Sequence, residues 1–177
     1  MLPGKLVNLR LYEMSDLDEV MEWINNQEVR QYLSIIYPIS RTQEVDFLQK
    51  LCNPTPDNIV LAIETKDKLY LGGVGLHKID MVNRHSELGI AIGKKEYWGK
   101  GYGTDSMMTI LDYAFNQLNL HKVYLRVYSN NPRAIRCYEK CGFRKEGVQR
   151  EHRYRNNKYY DDVLMGILKK EFLKRIK

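Results

Sequence analysis

The stretch "IGKKEYWGKGYGTD", residues 92–105, carries four glycines and three lysines just ahead of an amphipathic run. Bare backbone N–H groups and the positive end of a following helix favour anions, so this composition reads as a phosphate loop. Two widespread phosphate loops do not fit it. A GxxxxGK[ST] loop needs four residues between its glycines. Here five separate Gly93 from the Gly99-Lys100 pair, and Gly101 stands where the magnesium-binding hydroxyl belongs. A GxGxxG dinucleotide fingerprint would need glycine or alanine at Thr104 in one register and at Ser106 in the other. What remains is Gly99-x-Gly101-x-Gly103 at a strand-to-helix junction. Its successive N–H groups and the helix dipole could cup a pyrophosphate, and glycine permits both close approach and positive φ.

The rest of the chain sets the context for such a loop. Its 177 residues are the size of one domain, taken here as residues 1–177, and 44% hydrophobic with 28% charged residues is an ordinary globular composition. No apolar run approaches the roughly 20 residues that span a bilayer, so no membrane partner is expected. The N-terminal "MLPGKLVNLRLYEMSD" lacks the apolar core of a secretory signal. Three cysteines, Cys52, Cys137 and Cys141, form no CxxC pair, which points to a reducing, cytoplasmic setting. Cys137 and Cys141 can share a helix face, but no neighbouring His or third Cys completes a metal site, and no metal is expected.

Charge is unevenly spread. The chain carries +6, yet residues 1–50 hold five Lys/Arg against eight Asp/Glu, a net of −3. The basic excess lies later, in "RKEGVQREHRYRNNKYY" and the tail "LKKEFLKRIK". Scattered surface lysine explains it without nucleic acid, for which the sequence has no recognised motif.

Periodicity places the elements. "LVNLRLYE" alternates as a strand. "SDLDEVMEWINN", with Ser15 as N-cap, and "SRTQEVDFLQKL", with Ser40 in front, read as amphipathic helices. "NIVLAIET", "KLYLGGVGLHKID" and "SELGIAIG" follow as a three-stranded meander. "GTDSMMTILDYAFNQL" is a helix, "KVYLRVY" a strand, and "NPRAIRCYEKCGF" a short helix with Asn131 at N-cap, Pro132 at N1 and Gly142 past its end. Two strands joined through "RNNK" close the chain. The order predicts an α/β (α+β) fold: a mixed, mostly antiparallel sheet of about seven strands with helices on both faces.

In that setting the chain resembles the GCN5-related N-acetyltransferases (GNAT), in the branch of ribosomal-protein N-terminal and spermidine acetyltransferases. The resemblance rests on "SELGIAIG" as the family's fourth strand, "WGKGYGT" as its pyrophosphate loop and "NPRAIRCYEKCGF" as its late motif, together residues 86–143. Residues 1–60 match only in element order. Trp98 departs from the Arg or Gln that opens the family's loop; backbone donors dominate there, so the change bears on loop packing. The resemblance implies acetyl-CoA as donor, a primary amine as acceptor and direct attack in a ternary complex. The acceptor itself stays open among a polyamine, another small amine and a protein N-terminus. A CoA-binding sensor without turnover is the alternative on the same fold. A homodimer through the edge strands is compatible with the sequence.

Roles follow residue by residue. The N–H groups of Trp98, Gly99, Lys100, Gly101, Tyr102, Gly103 and Thr104 would hold pyrophosphate, while Asp105 in the first helical turn should point away. In the family the fourth strand splays from its neighbour and pairs with pantetheine, which falls here to Ile90, Ala91 and Ile92. Tyr138 stands at the family's general-acid position, although its spacing with Ala134, Ile135 and Cys141 also reads as a core stripe. Asn131 reads equally as an N-cap and a CoA contact, and Arg133 as a phosphate contact. Glu87 is the candidate base, against a plain surface ion pair; His85, His77 and His121 are lesser candidates. The acidic first third would suit a cationic amine if it lined the acceptor pocket, and solvated helix faces are its plainer reading.

Overall fold

The computed structural model describes residues 1–176. Its alternating segments form the strands β1 (Leu2–Pro3), β2 (Val7–Arg10), β3 (Asn58–Thr65), β4 (Tyr70–Asp80), β5 (His85–Ile92), β6 (Lys122–Tyr128), β7 (Arg144–Arg155) and β8 (Lys158–Leu168). They build one sheet in the order β1-β2-β3-β4-β5-β6-β8-β7. Every pairing is antiparallel except β5 with β6, which is parallel. The expected seven strands are all present. The two-residue β1 is an addition at the edge, which makes "SELGIAIG" the fifth strand here.

Six α-helices cover the sheet: α1 (Leu17–Ile24), α2 (Gln27–Arg30), α3 (Arg41–Leu51), α4 (Tyr102–Asp112), α5 (Pro132–Cys141) and α6 (Lys169–Arg175). Alternation along β3 divides the core. Leu61 and Ile63 pack with Met107, Ile110, Phe115 and Phe172, whereas Ala62 packs with Val20, Trp23, Leu48 and Tyr70 on the other face. Each such fully buried side chain contributes on the order of 1.5–3 kcal/mol.

Capping residues set most helix ends. Ser40 Oγ accepts from Gln43 N–H at 3.2 Å, and Gln43 Oε1 accepts from Ser40 N–H at 2.9 Å. Asn131 Oδ1 accepts from Ala134 N–H at 3.2 Å, and Gly142 ends α5 at φ +100°. Ser15 does not cap α1. The chain enters that helix through a 3-10 turn, Met14–Asp16, and Asp16 Oδ2 accepts from Glu13 N–H at 2.9 Å. Arg10 explains the choice: it grips both Asp16 oxygens, at 2.9 and 2.6 Å, and holds that carboxylate inside the turn. The basic tail is α6, anchored by Phe172 at 5.2 Å from Phe115. Leu173 packs beside it against the core, and two adjacent apolar residues among lysines give too little periodicity to be read as a helix. The helix after the glycine loop ends in a π-turn, Tyr113–Gln117.

Asp105 points away from the glycine loop, as expected, and does more than avoid it. Its carboxylate accepts from the N–H groups of Lys5 (3.1 Å), Leu6 (2.7 Å) and Val7 (3.0 Å), pinning the β1–β2 turn to the start of α4. Gly4 is required by this approach, because a Cβ there would lie 2.5 Å from Asp105 Oδ2. Asp105→Ala should therefore cost about 1–2 kcal/mol of stability, the loss expected for a charged acceptor serving several donors. Urea denaturation measures it; an unchanged midpoint would mean the turn is held by other contacts.

Candidate active site

The glycine loop leaves a set of donors open. Gly99 and Gly101 lie at φ +75° and +93°, conformations that side chains disfavour. Asp105 N–H donates the first bond of α4, to the Gly101 carbonyl at 2.9 Å, so the N–H groups of Tyr102, Gly103 and Thr104 have no acceptor within the helix. No side chain caps this end. The arrangement is a concave row of donors at a helix N-terminus, the geometry that binds pyrophosphate.

Beside the loop the sheet opens. β5 and β6 pair only from His85–Lys122 to Glu87–Tyr124. Beyond that point Leu88–Ile92 pairs with β4 alone, and Leu125–Tyr128 with β8 alone. Gly93 N–H donates to Leu71 O of β4 at 2.8 Å. Antiparallel alternation then turns the main-chain groups of Ile92 and Ile90 toward the gap. Ala91 differs from its neighbours, because its carbonyl lies against Gly72 of β4. Ala91 serves the cleft through its small side chain.

Trp98 sits at the junction of loop and gap. Its Nε1–H donates to the Ile92 carbonyl at 2.7 Å, and the Arg133 guanidinium lies 3.5 Å from its ring centre. Tyr32 approaches the same ring edge-on at 6.4 Å. The residue that departs from the family pattern thus ties the loop to β5 and gives Arg133 a platform. Thr104 Oγ1, 3.4 Å from Cys137 Sγ, joins the start of α4 to α5.

Tyr138 lies on α5 with its ring 6.1 Å from Phe143 and is 9% exposed, so the core-stripe reading and the site reading both describe it. Burial, followed by the neighbouring Cys137 and Cys141, pushes its phenol up, so the proton stays on at neutral pH. Among the described residues its hydroxyl has no hydrogen-bond partner, and it lines the cleft. Glu87 is engaged instead. It accepts from Lys78 Nζ at 2.8 Å and from Arg126 Nε at 3.1 Å. Burial pushes the Glu87 carboxyl up, but these donors outweigh it and hold it below its ordinary value.

These groups surround one cleft of about 960 Å³. Gly73, Gly75, Gly89 and Ala91 make a floor without bulk, since Gly73 opposes Ala91 and Gly75 opposes Gly89. Lys100 and Tyr102 are the exceptions among the loop residues: Lys100 Nζ lies 5.8 Å from the Tyr97 ring, and the Tyr102 ring meets Tyr97 edge-on at 5.1 Å, both off the cleft lining. His121 and His85 lie off the cleft, whereas His77 is on it. The sequence reading missed Arg136 and Lys140, which join Arg133 along one face of α5; their i, i+3, i+7 spacing was the available signal.

The acids of the first third do not line the cleft. That segment contributes Tyr12, Trp23, Tyr32, Phe47, Ser34 and aliphatic side chains, and Glu87 is the only carboxylate among the described lining residues. The acids pair elsewhere: Asp18 with Arg41, Glu19 and Glu22 with Lys94, Glu28 with Lys95, and Asp16 with Arg10. Helix amphipathicity turns those of α1 and α2 outward, where basic partners meet them, whereas Asp16 is buried in its turn against Arg10.

Comparison with known proteins agrees with this geometry. The acetyltransferase (GNAT) domain family matches residues 7–144. A spermidine N(1)-acetyltransferase of Vibrio cholerae is 34% identical over 172 residues, 96% of this chain and 96% of that protein. The Escherichia coli K12 spermidine N(1)-acetyltransferase is 33% identical over 94% of this chain and 88% of its own length. A putative ribosomal N-acetyltransferase of Bacillus subtilis is 29% identical over 94% and 93%. The crystal structure of the Vibrio cholerae spermidine N-acetyltransferase in complex with CoA and spermine superposes with a TM-score of 0.86 at 32% identity, covering 96% of this chain and 99% of that one. With the open donor row, the splayed strand and a match running through both, this chain belongs to the GNAT acetyltransferase family and is an amine N-acetyltransferase.

Proposed function

We propose that this protein acetylates a polyamine of the spermidine class with acetyl-CoA as donor. The identity to spermidine acetyltransferases along 96% of the chain, with a polyamine complex among its structural neighbours, carries the reading. The residues fit the donor. The N–H groups from Gly99 to Thr104 take the pyrophosphate, without the Trp98 N–H expected from the sequence, which donates to the Lys95 carbonyl at 3.0 Å; Arg133, Arg136 and Lys140 supply cationic charge along α5, and the gap-facing groups of Ile90 support the pantetheine arm. Asn131 has its side chain committed to Ala134 N–H, so its contribution to cofactor binding runs through the position it gives to Arg133 on the first turn of α5.

Acetyl-CoA supplies an activated thioester. The protein's part is to place it, keep the small-residue floor clear for the amine and manage protons. Tyr138 delivers its hydroxyl proton to the departing sulfur, a role that needs a phenol kept protonated and free of other partners. The acceptor wall includes the rings of Tyr32, Trp23 and Tyr128; Arg133 lies over Tyr32 at 5.6 Å and Arg153 over Tyr128 at 4.4 Å, so an alkylammonium group shares this aromatic surface with protein cations. One observation favours a second acceptor class. Lys78, Arg126 and Arg153 border the same cleft against the single carboxylate of Glu87, which suits an amine that also bears carboxylate, such as the N-terminus of a peptide with acidic side chains close behind it.

Thiol release from acetyl-CoA with spermidine, spermine, an aminoglycoside and Ala- or Ser-starting peptides separates these readings. Turnover with polyamines alone supports the first; turnover with peptides alone replaces it by the second. Tyr138→Phe should lower kcat by roughly 10²-fold or more while acetyl-CoA affinity stays nearly unchanged. Gly101→Val places a branched side chain at φ +93° and should abolish the acetyl-CoA-induced rise in melting temperature in a protein that still folds. Retained stabilisation would remove the loop from the binding site.

A further inference from the structure

His77 occupies the position on β4 opposite Glu87 of β5. Its Nδ1 meets Asn58 Oδ1 of β3 at 2.6 Å. A carboxamide oxygen only accepts, so Nδ1 carries the hydrogen and the neutral ring keeps its lone pair on Nε2. That Nε2 is directed over the bare floor: a Cβ on Gly75 would lie 3.1 Å from it, and one on Gly89 3.3 Å. Among the described residues Nε2 has no hydrogen-bond partner. Gly89 immediately precedes Ile90, whose main chain faces the strand gap, so Nε2 stands where an amine crossing the floor would meet an acyl group held in that gap. A base oriented by a third group, with its free lone pair facing the reacting position, is the arrangement that proton abstraction requires.

We infer that His77 is the general base of the transfer, oriented by Asn58, and that Glu87 is a positioning charge beside it. The inference rests on the acetyltransferase reading above. The acceptor ammonium gives a proton to His77 Nε2, which passes it to solvent through the open cleft. The amine nitrogen then bonds to the acyl carbon as the C–S bond breaks. Tyr138 protonates the sulfur, and its phenolate recovers a proton from the new amide nitrogen. Glu87 suits the base role poorly, since two donors hold its lone pairs and lower its proton affinity.

The groups around the imidazole set its titration. Burial pushes His77 down from its ordinary value; Glu87 from β5 raises it, and Lys78 on its own strand lowers it. Arg126 of β6 acts on it through Glu87, and Asn58 is uncharged. A bulge between His77 and Asp80, with Lys78 at φ +51°, brings Lys78 to the cleft beside His77 where strict alternation would send it to the opposite face.

The test is the pH profile of kcat for thiol release at saturating acetyl-CoA and amine, in the wild type and in His77→Gln, Glu87→Gln and Asn58→Ala. The wild-type rate should rise with pH along a limb centred below the ordinary imidazole value of about 6.5. His77→Gln should lose that limb and roughly 10²-fold in kcat, with acetyl-CoA binding retained. Glu87→Gln should keep the limb and move it to lower pH, because the charge that raises His77 is gone. Asn58→Ala, which leaves the imidazole in place, should lower kcat several-fold and keeps the test open should His77→Gln fail to fold. A limb that survives His77→Gln, or disappears in Glu87→Gln, overturns the assignment. A wild type that releases no thiol with any amine brings down the acetyltransferase reading itself, an outcome distinct from either variant result.

Discussion

The site depends on a sheet that stops pairing in its middle. β5 and β6 hold together for three residues and then part, so the Ile90 and Ile92 main chain lies unpaired inside a protein whose other strands are zipped. Unpaired backbone groups are costly to bury, and the surrounding structure answers that cost in two ways. Trp98 satisfies the Ile92 carbonyl with its indole N–H. The remainder of the gap is left as a ledge for a ligand that can act as an added strand. Tyr138 on α5 and the glycines of β4 and β5 owe their access to the reacting position to this one interruption.

The phosphate loop is held from behind rather than from within. Glycines at positive φ make a flexible loop unless something fixes its ends. Asp105 does this by binding three successive N–H groups of the β1–β2 turn, and Lys66 Nζ closes the same turn onto the Gly4 and Val7 carbonyls at 2.7 and 3.0 Å. The acid that would repel a phosphate is thereby spent on the opposite side of the helix. Thr104 with Cys137 on one flank and Trp98 with Arg133 on the other complete the frame.

Electrostatics divide the cleft by function. Cations on α5 border the loop end, where an anionic ligand belongs. At the acceptor end a single carboxylate, Glu87, is shared between Lys78 and Arg126, so it shapes the potential around His77 more than it accepts protons. The acids of α1 and α2 are bound to Lys94, Lys95 and Arg41 and stabilise how those helices sit over the sheet, which leaves aromatic rings to face the acceptor.

Local chemistry made much of this legible in advance. The strand alternation, the Ser40 and Asn131 caps, the Pro132–Gly142 frame of α5 and the glycine spacing of the loop depend on near neighbours in the chain, and each formed as read. Ser15 did not, because Arg10, six residues from Asp16 in the chain, drew that carboxylate into the turn; the basic tail, to which periodicity assigned no element, became a helix where Phe172 met the distant Phe115. The same distinction governs the site. Membership of the GNAT amine acetyltransferases was legible in short segments, since the glycine loop and the late motif are each contiguous in the chain. Folding was needed to show that Trp98 braces β5, that Glu87 is held by Lys78 and Arg126, that the acids of α1 and α2 face outward, and that Asn58 of β3 turns the His77 lone pair over Gly89. Most of those facts join two or more strands or helices, and no spacing along a single chain segment encodes which partner a charged side chain will meet.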